Sequence, residues 1–259
     1  MPARRAGYEK KENMQTQSYK LIRTALLACA LALGGIPTVQ AGGPPTGAPG
    51  VLPPQSHPYG KTYAEWCAVS AKVFLGLPLE GHPALATNPI FDASYGQSGR
   101  VWFLGGPFGT NQRWSTIPVD TALFLALANS ECSSLEGPDS GFHGDTAAEQ
   151  AACATFWSDH IGEVFCIVDG RPVANIGAYR FVSPQFEFDA PTPWIFGDVG
   201  GHGTSVIDGY HVMLAPLSAG QHTVHFGAMF HFAAGELGPD PVDLPLDMTY
   251  HLTVSPNRP

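Results

Sequence analysis

The sequence predicts a mainly β protein, a β-sandwich of immunoglobulin-like or jelly-roll-like type with two helices decorating its N-terminal half. From Glu163 onward, short apolar or alternating segments are separated by Gly and Pro, as in strands joined by tight turns. Helical periodicity is confined to two stretches, and the sequence has neither an internal repeat nor a regular alternation of strands and helices. These observations favour two packed sheets over a parallel α/β fold.

Residues 14–41 have the pattern of a secretory signal peptide, and Met14 is a candidate start of translation. A basic beginning precedes an apolar run over 25–36, and the segment ends at Val39-Gln40-Ala41. We therefore expect 1–41 to be removed and the protein to be secreted or periplasmic. The apolar run is shorter than the roughly 20 residues that span a bilayer, so we expect no membrane span in the mature form.

The mature chain is strongly acidic. Six of the 13 Lys and Arg, but only two of the 22 Asp and Glu, precede residue 42, so seven basic and 20 acidic residues remain, a formal net charge of −13. Such a surface repels phosphate backbones and anionic lipids. Nucleic acid is therefore not an expected partner.

The mature chain is predicted to have two parts. Residues 42–58 are rich in Gly and Pro and predict a tether that does not pack. Residues 59–259 are predicted to form a single β-sandwich domain, with 163–259 its most clearly all-β part.

Two helices are predicted in the N-terminal half. The first covers Thr62–Phe74, where Thr62 and Glu65 have the spacing of a capping box. The second covers Thr146–His160, with Asp145 as its N-cap and several alanines as helix formers.

The strands follow from apolar runs and alternation. Val101–Leu104 is a short buried strand, and Ser115–Ala128 contains further strand material. Asp169-Gly170 is a hairpin turn signal that ends the strand beginning at Val164. The later strands are predicted over 181–188, 206–214, 222–227 and 248–254.

The mature chain keeps four cysteines, which in an exported protein predicts two disulfides with three connectivities open. Cys132 and Cys153 flank one polar loop, and we expect them to pair locally. By elimination, Cys67 on the first helix would then pair with Cys166.

The order of several short motifs resembles that of a group of exported bacterial proteins. The motifs are Tyr63-Ala-Glu-Trp66, Asn88-Pro89, Gly96-Gln-Ser-Gly-Arg-Val-Trp-Phe-Leu104, Asn129-Ser-Glu-Cys132, Ser183-Pro-Gln-Phe-Glu-Phe188 and Asp208-Gly-Tyr-His-Val-Met-Leu-Ala-Pro-Leu217. The segment from Pro216 to Phe226 is also similar to the last hairpin of bacterial immunoglobulin-like domains. The resemblance implies a sandwich fold, and it implies no activity and no functional residue.

Three histidines are candidate metal ligands: His211, His225 and His251. If Val212, Val224 and Leu252 point into the core, the three imidazoles lie on the outward side of their strands. The short turn at 218–220 predicts that the first two strands form a hairpin, so their imidazoles would be close enough to share zinc or copper. The alternative is three polar side chains on a solvated face.

Two functions are compatible with these patterns. The first is an exported, non-catalytic binding or structural protein whose ligand is a glycan, an envelope component or another protein. It follows from the sandwich fold, from the 28 aromatic residues and from the lack of a recognisable catalytic motif. The second is a metal-dependent extracellular enzyme that uses the outward histidines.

Overall fold

The computed structural model describes residues 50–256, and the predicted signal peptide lies outside them. Over these residues the protein is mainly β, with two helices and two sheets, as predicted. The helices are α1 (Tyr63–Leu75) and α2 (Ala147–Ser158). The strands are β1 (Val101–Leu104), β2 (Gly109–Pro118), β3 (Ala122–Ser133), β4 (Ile161–Val168), β5 (Arg171–Pro172), β6 (Arg180–Val182), β7 (Phe186–Ala190), β8 (Gly201–Leu214), β9 (Gly220–Phe232) and β10 (Val242–Ser255).

The strands form two five-stranded sheets. Sheet I has the order β1-β3-β8-β6, with β7 also paired to β8, and sheet II has the order β2-β10-β9-β4-β5. Neighbours are antiparallel except for β1 with β3 and β2 with β10, which are parallel. One hydrophobic core contains residues of both sheets, among them Leu125, Phe226 and Leu252. The immunoglobulin-like or jelly-roll type stays a prediction.

Both helices pack on the outer face of sheet I, where they contact β8. The Sγ atom of Cys67 in α1 lies 3.3 Å from Nδ1 of His211. In α2, the Gln150 side-chain amide donates to the Thr204 carbonyl at 3.0 Å, and the Ser158 hydroxyl donates to the Asp208 carbonyl at 2.8 Å. Sheet I is therefore covered on both faces. No helix of the described residues is long and apolar enough to cross a membrane.

Capping boxes begin both helices. Thr62 accepts a hydrogen bond from the Glu65 amide, and the Glu65 carboxylate accepts one from the Thr62 amide, as predicted. In α2 the reciprocal pair is Thr146 and Glu149, so the prediction of Asp145 as the N-cap is wrong by one residue. Thr146 is the N-cap because its hydroxyl lies three residues before Glu149, which is the spacing that a capping box requires.

Strand alternation in sheet II separates a buried face from an outer one. In β10 the buried residues include Tyr250 and Leu252, whereas Thr249 and His251 are half-buried and point outward. In β9, Val224 is completely buried and His225 points the other way. The predicted parity is therefore confirmed for both strands.

The predicted hairpin of β8 with β9 is wrong. β8 belongs to sheet I and β9 to sheet II, so the connection between them crosses from one sheet to the other. Both edges of the C-terminal end of β8 are already occupied, by β3 on one side and by Val51 on the other. A β9 strand that turned back beside β8 would find no free backbone groups there.

The prediction that 42–58 forms a tether that does not pack is wrong for the part that the structure describes, which begins at residue 50. Val51 bridges to Leu214, and the Leu52 carbonyl accepts hydrogen bonds from the hydroxyls of Tyr63 and Tyr179. The chain from residue 50 onward therefore packs on the domain despite its Pro content. These contacts come from residues far along the chain, which local composition does not reveal.

One of the two predicted disulfides is present. Cys132 and Cys153 are bonded, with their Cα atoms 6.0 Å apart, and the bond fastens α2 to the end of β3. The predicted Cys67–Cys166 bond is wrong, since both are free and buried. Cys67 belongs to α1, outside sheet I, whereas Cys166 belongs to β4 of sheet II, so sheet I lies between the two thiols.

An ion pair between half-buried Arg180 and buried Asp208 ties β6 to β8 and to the end of α2. The Asp208 side chain is completely buried, and Arg180 donates to its two oxygens at 3.0 and 2.7 Å. A second bond from Arg180 reaches Asp159, the residue that ends α2. The bidentate contact compensates the burial of the Asp208 charge.

We expect the protein to contain one disulfide and two protected thiols. Cys67 and Cys166 are inaccessible, so alkylating reagents should modify them only after denaturation. Peptide mapping without reduction should recover the Cys132–Cys153 peptide. Recovery of a peptide that links Cys67 to Cys166 would contradict the placement of these residues.

Replacing Arg180 with Met should lower the free energy of unfolding by about 3–5 kcal/mol, because Asp208 stays buried and loses its partner. Urea denaturation measures this change. Arg171→Met on exposed β5 is the matched control, and its effect should stay within about 0.5 kcal/mol. Equal stability of the two variants would show that the Arg180–Asp208 pair does not stabilise the fold.

Candidate functional site

The outer face of sheet II is the candidate site, and we call it the open face because both helices pack on the other sheet. Its side chains are exposed or half-buried, unlike the buried side chains that alternate with them. They come from four neighbouring strands: Thr110, Gln112, Trp114 and Thr116 of β2, Asp247, Thr249, His251 and Thr253 of β10, Gln221, Thr223 and His225 of β9, and Phe165 and Ile167 of β4.

The most exposed aromatic ring of the open face is that of Trp114, whose side chain is paired in register with His251. The residue is 47% exposed, and its ring stacks on the His251 imidazole at a centroid distance of 4.5 Å and an interplanar angle of 18°. Nε2 of His251 lies 3.3 Å from the Gln112 amide oxygen, which fits donation from imidazole to amide. The Gln112 contact and the Trp114 stack together orient the His251 ring.

The exposed Trp114 ring forms an apolar platform, and a short segment next to β2 widens it. Trp114 exchanges backbone hydrogen bonds with Pro89 and Phe91, so Ile90 is its register partner and projects to the same face. Ile90 is 77% exposed. An apolar side chain therefore extends the platform beyond the edge strand.

Buried Arg113 holds that segment in place. Its guanidinium donates to the carbonyl oxygens of Pro83, Ala86 and Gly105 and stacks over the Phe91 ring at 4.2 Å. The Tyr250 hydroxyl is a further contact, at 3.1 Å. Because Arg113 and Trp114 are adjacent in β2, one strand fastens the loop from inside and presents the tryptophan outside.

A second group on the open face surrounds His225. Its Nε2 lies 2.9 Å from an Asp247 carboxylate oxygen, and its ring meets the Phe165 ring edge-on at 4.8 Å. Gly227 leaves room beside this group, since a Cβ atom there would come within 2.1 Å of the Leu246 carbonyl oxygen and 2.9 Å of the Phe165 ring. The glycine thus lets Phe165 lie against the sheet.

The open face is polar overall, with apolar rings set into it. Its hydrogen-bonding groups are threonine hydroxyls and the amides of Gln112 and Gln221, and Gln221 bonds to Thr253 at 3.0 Å. Its ionisable members are Asp247, His225 and His251. Such a surface can stack against a flat ring and satisfy hydroxyl groups at the ring's edge.

His211, the third predicted metal ligand, is not on this face. It lies on β8 under α1, completely buried, with its ring stacked on Phe124 at 5.3 Å. Burial lowers the pKa of His211 to about 4, against the opposing influence of the Gly209 carbonyl and Asp208. Burial also raises the pKa of the Cys67 thiol. The Cys67–His211 contact is therefore a neutral pair sealed from solvent, not an activated nucleophile.

The three predicted ligands do not form one site. His225 and His251 share the open face, but Asp247 binds one and Gln112 the other, while His211 lies in the other sheet. Within residues 50–256, no three His, Cys, Asp or Glu side chains converge as metal ligands. The prediction that all three histidines cluster on one outer face is wrong, because β8 belongs to sheet I and α1 covers His211 on the outer side of that sheet.

Sequence reasoning did not identify Trp114 as a site residue. The available signal was its position in β2, where Thr110, Gln112, Trp114 and Thr116 alternate with buried residues. A tryptophan on the polar parity of a strand marks an exposed ring. Its partner His251 could not be inferred, since a parallel pair between distant segments leaves no local pattern.

No protein-family model, curated protein or solved structure matches this chain. The resemblance to exported bacterial proteins therefore stays a prediction. Any function has to be argued from the residues of the site itself.

Replacing Gly227 with Ala should destabilise the protein by about 3 kcal/mol, since the new methyl group overlaps backbone and the Phe165 ring. Thermal and urea denaturation measure the loss. Gly177→Ala is the matched control because a Cβ atom there meets nothing within 4 Å. If the two alanine variants were equally stable, the close packing around Phe165 would be refuted.

Proposed function

We propose that this protein is an exported, non-catalytic binding protein whose open face binds a neutral glycan. The observation that carries the proposal is the exposed ring of Trp114, stacked on His251 at 4.5 Å within a polar sheet surface. The Trp114 ring and the neighbouring exposed Ile90 side chain together form an apolar patch rimmed by polar side chains, which is typical of a binding surface.

The chemistry of a sugar suits the arrangement. A pyranose ring has apolar C–H groups on its face and hydroxyl groups around its edge. Trp114 and Ile90 offer an apolar platform for the first, and Gln112, Thr249 and Thr223 on the neighbouring positions offer hydrogen bonds for the second. Few polar groups placed around an aromatic surface are typical of small-ligand recognition.

The other ligand classes fit less well. An anionic ligand would meet Asp247 and a formal net charge of −13 on the mature chain. A protein partner would be expected to cover a more apolar centre with fewer hydroxyl side chains. Metal-dependent catalysis finds no support in the positions of the three histidines.

The glycan proposal is tested on Trp114. The protein should be retarded in native gels that contain at least one neutral polysaccharide from a panel of β-glucan, xylan, mannan and starch. Trp114→Ala should weaken that binding by about 30-fold, because central aromatic anchors contribute about 2 kcal/mol or more. Isothermal titration with oligosaccharides of the retained polymer gives the affinity.

Phe156→Ala is the matched control, since Phe156 is similarly exposed, at 51%, but lies on α2 away from sheet II. It should bind as the unmodified protein does. Retention by none of the neutral polymers, or equal binding by the Trp114→Ala variant, would refute the proposal. Binding of protein or envelope fractions with no neutral polysaccharide bound would favour the other ligand classes.

A further inference from the structure

A second aromatic ring lies on the open face, at the far side from Trp114. Phe165 of β4 is half-buried and is paired in register with Gly227 of β9. A Cβ atom on Gly227 would lie 2.9 and 3.0 Å from two atoms of the Phe165 ring, so the ring covers the glycine on the outer side of the sheet. The Phe165 ring is therefore part of the surface of the open face and not of the core.

Polar groups border the Phe165 ring. The His225 ring meets it edge-on, with an interplanar angle of 72°, and Nε2 of His225 lies 2.9 Å from Oδ1 of Asp247. Asp247 is the register partner of Gly227, so its carboxylate projects beside the glycine that the ring covers. The side chains of His225 and Asp247 are 36% and 39% exposed, which leaves both accessible to a ligand. An aromatic ring with hydrogen-bonding groups at its edge suits a sugar residue.

Trp114 and Phe165 lie at the two ends of a diagonal across the open face. Strands β10 and β9 separate β2 from β4, so three strand spacings lie between the two residues, about 14 Å. The register places Trp114 level with His251 and Thr223. It places Phe165 level with Gly227, four residues further along β9, about 13 Å. The two aromatic residues are therefore about 20 Å apart, about the length of four sugar residues in an extended chain.

The diagonal between the two rings is polar and lacks strong positive charge. It passes over Thr249, the register partner of both His225 and Gln112, and over the His225–Asp247 pair. None of the side chains of the open face belongs to lysine or arginine. An acidic polymer would therefore meet the Asp247 carboxylate without a guanidinium or ammonium partner. The hydroxyl groups of a neutral chain find donors and acceptors along the whole path.

We propose that the open face binds an unbranched neutral polysaccharide along its length, with one sugar residue on Trp114, a second on Phe165 and about three between them. This inference rests on the proposed glycan binding and specifies the form of the ligand. Two aromatic anchors on one chain make the second contact intramolecular, so the affinity increases once the chain spans both rings. A disaccharide or trisaccharide reaches only one of them.

The test is isothermal titration with the oligosaccharide series, from disaccharide to hexasaccharide, of the neutral polymer retained in the native gels. The hexasaccharide should bind the unmodified protein about 10-fold more tightly than the trisaccharide. Phe165→Leu fills the space over Gly227 without an aromatic ring, and this variant should bind the hexasaccharide no more tightly than the trisaccharide. Phe165→Tyr, which keeps a ring, should show the gain with chain length, and so should the Phe156→Ala control on α2.

The chain-length series on the unmodified protein needs no variant and therefore tests the inference even if Phe165→Leu does not fold. Equal affinities for trisaccharide and hexasaccharide would overturn the two-ring arrangement and leave glycan binding at Trp114 in place. A gain with chain length that persists in folded Phe165→Leu would overturn it as well. Retention by none of the neutral polymers would refute the proposed function, and this inference with it.

Discussion

The packing of both helices on sheet I is the constraint on which the other features depend. It places β8 between two apolar layers, which is why His211 and Asp208 are completely buried and have to be neutral or paired. It separates Cys67 from Cys166, since sheet I lies between the thiols. It also leaves the outer face of sheet II without a helical cover, so that the polar residues there remain available to a ligand.

Two arginines, half-buried Arg180 and buried Arg113, connect this architecture to the rest of the chain in different ways. Arg180 meets a buried carboxylate, and the two charges compensate each other while β6, β8 and α2 are held together. Arg113 is directed at backbone carbonyls and aromatic rings, so it satisfies carbonyl oxygens of the loop before β1 and fixes that loop against β2. The first contact stabilises the layers, and the second positions the edge of the open face.

The open face depends on the core of the same sandwich. The open face needs exposed rings on a rigid surface, and the alternation of β2 and β10 supplies them because their inward residues are fixed by the core. Its side chains have partners outside their own strand, as in the contact of His225 with Asp247 and the stack of Trp114 on His251.

The sequence by itself determined the mainly β class, both helices, the capping box of α1, the Cys132–Cys153 bond and the outward parity of His225 and His251. These follow from periodicity and short-range spacing, which act within a few residues. Only the tertiary structure decided that β9 joins sheet II, that α1 covers His211 and that Trp114 stacks on His251. Those outcomes depend on which distant segments pair. A strand's pattern shows which residues it buries, but the layer that buries them is selected by the packing of the whole chain.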